Sequence, residues 1–103
     1  MKKTAKIRKE YPIFSGVVRY FPKALLYVSR VSLQGNRQHH PNEPLHWDKS
    51  KSTDESDALL RHLIDYDKFD DDGILHAGKV AWRSLALLER EIEKQKINLY
   101  EKR

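Results

Sequence analysis

The chain has 103 residues and a mass of 12.2 kDa, with 20 Lys+Arg against 15 Asp+Glu, 39% hydrophobic residues and no cysteine, which describes one small domain. Zero Cys excludes disulfides, thiolate zinc sites, Fe–S clusters and cysteine nucleophiles, and it fits a reducing cytoplasm. No apolar run approaches the roughly 20 residues of a membrane span, so no membrane partner is expected. With 34% charged residues the core must be thin, and a homo-oligomer that covers apolar faces is expected.

The net charge of +5 is concentrated at the ends. Residues 1–10 read as a basic tail, 11–93 as the folded domain, and 94–103 as a charged helix end or tail. No nucleic-acid module signature accompanies these lysines, which argues against a nucleic-acid partner.

In chain order, Pro22 suits a first helical turn and Gly35 suits a helix end, predicting a first helix over about 22–34. The stretch 36–51 holds Pro41, Pro44 and three histidines, His39, His40 and His46, and reads as a long functional loop. Ser52-Thr53-Asp54-Glu55 matches a capping box and opens a second helix. There Leu59, Leu60, Leu63, Ile64 and Tyr66 form the apolar face, with Asp54, Asp57, Arg61 and Asp65 opposite and His62 on the boundary. An acidic run ends at Gly73. A third helix then begins at about 74 or 75, with Ala77, Val80, Ala81, Leu85, Leu87, Leu88 and Ile92 as its core stripe. His76 stands at its start, and Trp82 points off the stripe, towards a surface that a second subunit could supply. The fold class is a compact all-α domain of three to four helices with a long functional loop between the first two main ones.

Several residues carry chemistry. Asp70-Asp71-Asp72-Gly73 resembles half of a calcium loop, but the EF-hand register would place Lys68 and Lys79 at ligand positions, which excludes that motif. The run either caps the third helix or supplies hard oxygen ligands for Mg²⁺ or Mn²⁺, with Asp57 able to complete the site. His62 is either a ligand or a boundary histidine bonded to a carboxylate such as Asp65. His46-Trp47-Asp48-Lys49-Ser50-Lys51 places an aromatic plane and two ammonium groups beside a helix start, the combination that base stacking and phosphate neutralisation need; its alternative is an indole that anchors the loop. No Walker loop, GxGxxG or HExxH signature occurs.

Taken together, Tyr11-Pro12-Ile13-Phe14-Ser15-Gly16, Gly35-Asn36-Arg37-Gln38-His39-His40-Pro41, Pro44-Leu45-His46-Trp47-Asp48, Asp57-Ala58-Leu59-Leu60-Arg61-His62-Leu63 and Asp71-Asp72-Gly73-Ile74-Leu75-His76 resemble the phage-associated dATP/dGTP diphosphohydrolase N-terminal domain family, over about residues 11–91. The resemblance implies an all-helical fold related to MazG-type pyrophosphohydrolases. It also implies metal-dependent hydrolysis of purine deoxynucleoside triphosphates to monophosphate and pyrophosphate, in phage nucleotide-pool control. The residues carried over are Trp47, Asp57, Arg61, His62, Asp72 and His76. On this reading Asp57, His62 and His76 are catalytic, and Asp57, Asp71, Asp72 and His76 hold Mg²⁺ or Mn²⁺. Trp47, Lys49, Lys51, Arg61 and His46 contact the purine nucleotide. The chain departs from the MazG pattern in lacking a Glu-Glu-x-x-Glu helix motif, since Glu89-Arg90-Glu91-Ile92-Glu93 is its only comparable run. That departure keeps open a non-catalytic alternative, a phage protein that binds or sequesters a nucleotide or cyclic nucleotide.

Overall fold

A computed structural model describes residues 9–51 and 54–100. A π-helical turn at Phe14–Val18 precedes helix α1 (Pro22–His39). A short 3₁₀ turn at Lys49–Lys51 then leads to α2 (Glu55–Ile64) and α3 (His76–Lys94). The all-α expectation holds: the described residues contain no strand, only an isolated antiparallel bridge between Phe69 and Leu75. No described helix is long and apolar enough to cross a membrane.

Pro22 starts α1 as expected, because a residue with no amide hydrogen and a fixed φ costs nothing in the first turn. The helix then runs five residues past the expected end. Gly35 lies inside it, and the chain leaves through His40, whose amide donates to the Asn36 carbonyl at 2.7 Å, with Asn42 at positive φ (69°) completing the turn. His39 is therefore helical and the true loop is shorter. Glu43 and His46 are both tied to the buried side chain of Asn36, which donates from Nδ2 to the Glu43 carbonyl (3.0 Å) and accepts at Oδ1 from the His46 amide (3.3 Å).

Helix α2 is turned differently from its hydrophobic pattern. The residues it buries against α3 are Glu55 and Ala58, the latter fully, while Leu60, Leu63 and Ile64 face outward, Ile64 at 80% exposure. Glu55 decides this orientation. Its carboxylate meets Arg83 Nη1 at 3.3 Å and Arg90 Nε at 3.6 Å, both from α3, and Ala58 beneath it allows close approach of the two helices. A carboxylate buried between two guanidinium groups is stable only while both remain, so the ion pairs outrank the leucines in setting the helix face. The capping box rests on Ser52 and Thr53, which lie outside the described residues; Asp54 occupies the N-cap without a side-chain hydrogen bond, and the Glu55 carboxylate reaches across to α3.

Helix α3 packs on α1 through Gly78. A Cβ built at this glycine would lie 2.6 and 2.7 Å from ring carbons of Tyr27 and 3.1 Å from Val31, so the missing side chain is what lets the helices meet. Tyr27 also accepts the Leu75 amide at its hydroxyl (2.8 Å), fixing the N-cap of α3 to α1. Tyr27→Phe is expected to destabilise the fold by about 1–2 kcal/mol by leaving that part-buried amide without its acceptor, read as a lower urea midpoint with an unchanged m-value.

Trp82 is not left for a second subunit. Its Nε1 donates to Ser32 Oγ on α1 at 2.7 Å, and its ring meets Trp47 edge-to-face at 5.4 Å between centroids, so α1 and the loop cover it.

Candidate functional site

The segment between α2 and α3 determines what meets. The Asp70 amide donates to the Ile74 carbonyl (2.8 Å), and the His76 and Ala77 amides donate to the Lys68 and Tyr66 carbonyls (2.9 and 3.0 Å). Gly73, at φ 81°, makes the reversal. The acidic run is thus a short clamp that returns the chain along itself and sets the first residue of α3 against the last turns of α2. His62 and His76 then share a hydrogen bond, Nδ1 to Nδ1, at 2.8 Å. One imidazole donates and the other accepts.

Asp70 completes this group: His62, Asp70 and His76 each offer a ligand atom, all within 4.8 Å of one another. Two imidazoles and a carboxylate suit a divalent ion that accepts nitrogen, such as Mn²⁺, better than Mg²⁺, which favours an all-oxygen shell. Lys79, one turn along α3, donates to Asp70 Oδ2 (2.7 Å) and Asp72 Oδ2 (2.8 Å). Asp72 also accepts the Ile74 amide at 3.0 Å, and Asp70 the Asp71 amide at 2.7 Å.

These contacts set the protonation states. The Lys79 hydrogen bond, helped by the Asp71 amide, holds the Asp70 carboxyl below its ordinary range. For Asp72 burial pushes upward, but Lys79 and the Ile74 amide outweigh it and the net direction is down. Burial likewise pulls Lys79 down, and its two carboxylate partners more than reverse this, leaving it raised. His62 is lowered, first by burial and then by the charges of Lys79 and His76, so it stays neutral at neutral pH.

The sign of the stability dependence follows. Carboxyls lowered in the fold contribute stability above their unfolded value of 3.8, and it is lost as pH falls through their folded values. Lowering of His62 works in the same direction at higher pH: stability is complete above 6.5 and declines as the unfolded imidazole takes up its proton first. Thermal midpoints are therefore expected to fall in two stages on acidification, one starting near pH 6.5 and one below pH 4. Lys79→Met is expected to shrink the lower stage, since the carboxyls lose the ammonium that depresses them.

Beside this cluster lies a cleft of about 750 Å³. His62, Asp72, Lys79 and Arg83 line one part of it; Trp47, Trp82 and Ile74 form an apolar wall; and Gln34, Gln38, His39, His40 and His46 bring polar atoms from α1 and the loop. That volume lies within the range of small-molecule sites.

The structure brings together His62, His76, Asp72, Trp47 and His46 of the sequence-predicted residues, at or beside the cleft. It does not bring Asp57, which lies exposed on the far side of α2 because Glu55, Ala58 and His62 take the inner face. Asp71 is exposed, and its backbone amide rather than its carboxylate serves the cluster. Arg61 is exposed and 3.7 Å from Asp54. Lys49 turns to Glu93 at 3.0 Å, with its ammonium 5.2 Å from the Trp47 ring, away from the cleft. The side chain of Lys51 lies outside the described residues. His62 pairs with His76 and not with Asp65, whose partner is Lys68. Lys79 and Arg83 were missed as site residues, although with His76 they share one flank of α3 at helical spacing. Asp70 stood in the acidic run read as possible metal ligands, but Asp71 and Asp72 were taken from that run in its place.

A comparison with protein-family models matches residues 2–99 to the family described as dATP/dGTP diphosphohydrolase, N-terminal. No curated protein and no solved structure matches the chain.

Proposed function

Because the chain belongs to the dATP/dGTP diphosphohydrolase N-terminal family, we propose that it hydrolyses dATP or dGTP to the deoxynucleoside monophosphate and pyrophosphate, using a divalent cation. The observation that carries the proposal is the juxtaposition of the His62, Asp70 and His76 cluster with a nucleotide-sized cleft walled by Trp47 and Trp82. His62, Asp70 and His76 would hold the cation, with Asp72 beside them in contact with Lys79. Such an ion polarises phosphate oxygens and lowers the pKa of water.

The protein's own groups do the remaining work. Lys79 and Arg83 offset phosphate charge at the cleft, Lys79 retaining its proton because two carboxylates face it. Water adds at the α-phosphorus and gives its proton to solvent, while the bond to the β-phosphate oxygen breaks and pyrophosphate leaves; neutral His62 keeps its lone pair available to the cation. The purine would lie against the indole wall, where flat apolar surface favours stacking, and Gln34 and Gln38 offer amide donors and acceptors to its edge. Such an activity would reduce one purine deoxynucleotide pool during phage replication.

A second reading is favoured by one feature: the Lys79 ammonium already neutralises Asp70 and Asp72. On that reading the cleft captures a nucleotide, or a cyclic nucleotide, and releases it unchanged. Incubation of the chain with dATP or dGTP and Mn²⁺ or Mg²⁺, followed by chromatographic separation of the nucleotides, decides between them. Hydrolysis predicts monophosphate and pyrophosphate in equal amounts; quantitative recovery of the bound triphosphate supports capture and overturns the enzyme reading.

The outward Leu60, Leu63 and Ile64 support a homo-oligomer, since a second copy would remove this face from water. Sedimentation equilibrium is expected to give a mass that is a multiple of 12.2 kDa, and Leu63→Asp with Ile64→Asp to reduce it to the monomer.

A further inference from the structure

We propose that the chain carries a second metal site, formed by His40, Glu43 and His46 in the loop after α1, for a borderline divalent cation of the Zn²⁺ class. These three residues each offer a ligand atom, and the atoms lie within 4.8 Å of one another. His40 Nδ1 is 3.5 Å from Glu43 Oε2, and the two imidazole rings are 4.2 Å apart between centroids. Ligands around a tetrahedral zinc at about 2.0–2.1 Å stand about 3.4 Å apart, so the group needs only a small contraction to enclose an ion.

The tautomer is set in the way metal-binding histidines require. His46 Nδ1 lies 2.9 Å from the Pro44 carbonyl, which can only accept, so the proton sits on Nδ1 and the Nε2 lone pair is free for a metal. The backbone beneath is built rather than incidental. One buried residue, Asn36, receives the His40 amide at its carbonyl, donates to the Glu43 carbonyl, and accepts the His46 amide. All three ligand-bearing residues are therefore held by a single side chain and its carbonyl.

Two imidazoles and one carboxylate favour Zn²⁺, Co²⁺ or Ni²⁺ over Mg²⁺ or Ca²⁺, and three protein ligands leave a coordination position for water or another oxygen donor. His40 and His46 also line the cleft, at the end carrying Gln38 and His39. A bound ion would therefore fix the loop that holds Trp47. The site shares no ligand with the His62, Asp70 and His76 cluster, so it stands whether or not that cluster supports hydrolysis.

The test is a titration of the full chain carrying His62→Ala and His76→Ala with Co²⁺, read by visible d–d absorption, and with Zn²⁺, read by calorimetry. One equivalent is expected to bind. Adding His40→Ala and His46→Ala should weaken Zn²⁺ at least 100-fold, and Glu43→Gln at least 10-fold, without loss of helical circular dichroism. Asn36→Ser, which supplies no ligand, should weaken it 10- to 100-fold through position alone. Equal Zn²⁺ affinity with and without His40 and His46, or no saturable Co²⁺ spectrum, would overturn the proposal.

Discussion

Replacing His62 with alanine is expected to lower the rate of pyrophosphate release from dGTP by at least about 100-fold, with the helical circular dichroism unchanged. His62 is half-buried at the cleft, neutral at pH 7 because burial and the Lys79 charge oppose its protonation, and hydrogen-bonded to His76. Alanine removes a metal donor and leaves the second imidazole without its partner. His76→Ala should cost a similar factor, and the double variant little more than either single one, because residues that act as a unit are strongly non-additive. Asp57→Ala, by contrast, should be near wild type, since Asp57 is exposed and outside the cleft. Rapid-quench turnover of the four proteins checks the pattern, and equal losses in Asp57→Ala and His62→Ala would remove the cluster from the chemistry.

The second large effect concerns the scaffold. Gly78→Ala should destabilise the protein by about 2 kcal/mol, even though alanine is favoured over glycine inside a helix by about 1 kcal/mol. The new Cβ would overlap the Tyr27 ring, at 2.6 and 2.7 Å, and press on Val31 at 3.1 Å. Tyr27 cannot swing aside freely, because its hydroxyl holds the Leu75 amide. Relief therefore means separating α1 from α3, which also moves His76, two residues along. A drop in the thermal midpoint of about 10 °C is expected from the size of the domain, together with reduced turnover at temperatures where the variant is still folded. A midpoint at or above wild type would show that the helices do not meet at this glycine.

The helices were legible because their ends carry local signals: Pro22 at the start of α1, the acidic turn and Gly73 before α3. What sequence could not supply was the rotation of α2. Periodicity weights leucines, and here a glutamate, Glu55, takes the interior because two arginines from another helix meet it, a long-range pairing invisible to a local window. The same applies to Trp82, which looked unpartnered until α1 and the loop folded over it. Of the site, the His62 and His76 elements were found through family resemblance. Lys79 was hidden because its importance lies in an ion pair across the turn to Asp70, and a charged residue on a helix flank ordinarily reads as solvated. Asp57 was misplaced because it came through the family resemblance, as a carboxylate able to complete the acidic cluster, whereas the five-residue spacing to His62 puts the two on different faces of the helix.

Crystallography of the chain with Mn²⁺ and a dGTP analogue that cannot be cleaved between the α and β phosphates tests the central claim most directly. The cation is expected at His62, Asp70 and His76, the phosphates toward Lys79 and Arg83, and the guanine against Trp47 or Trp82. Nucleotide bound on another surface, with these side chains still paired to one another as they are now, would contradict it.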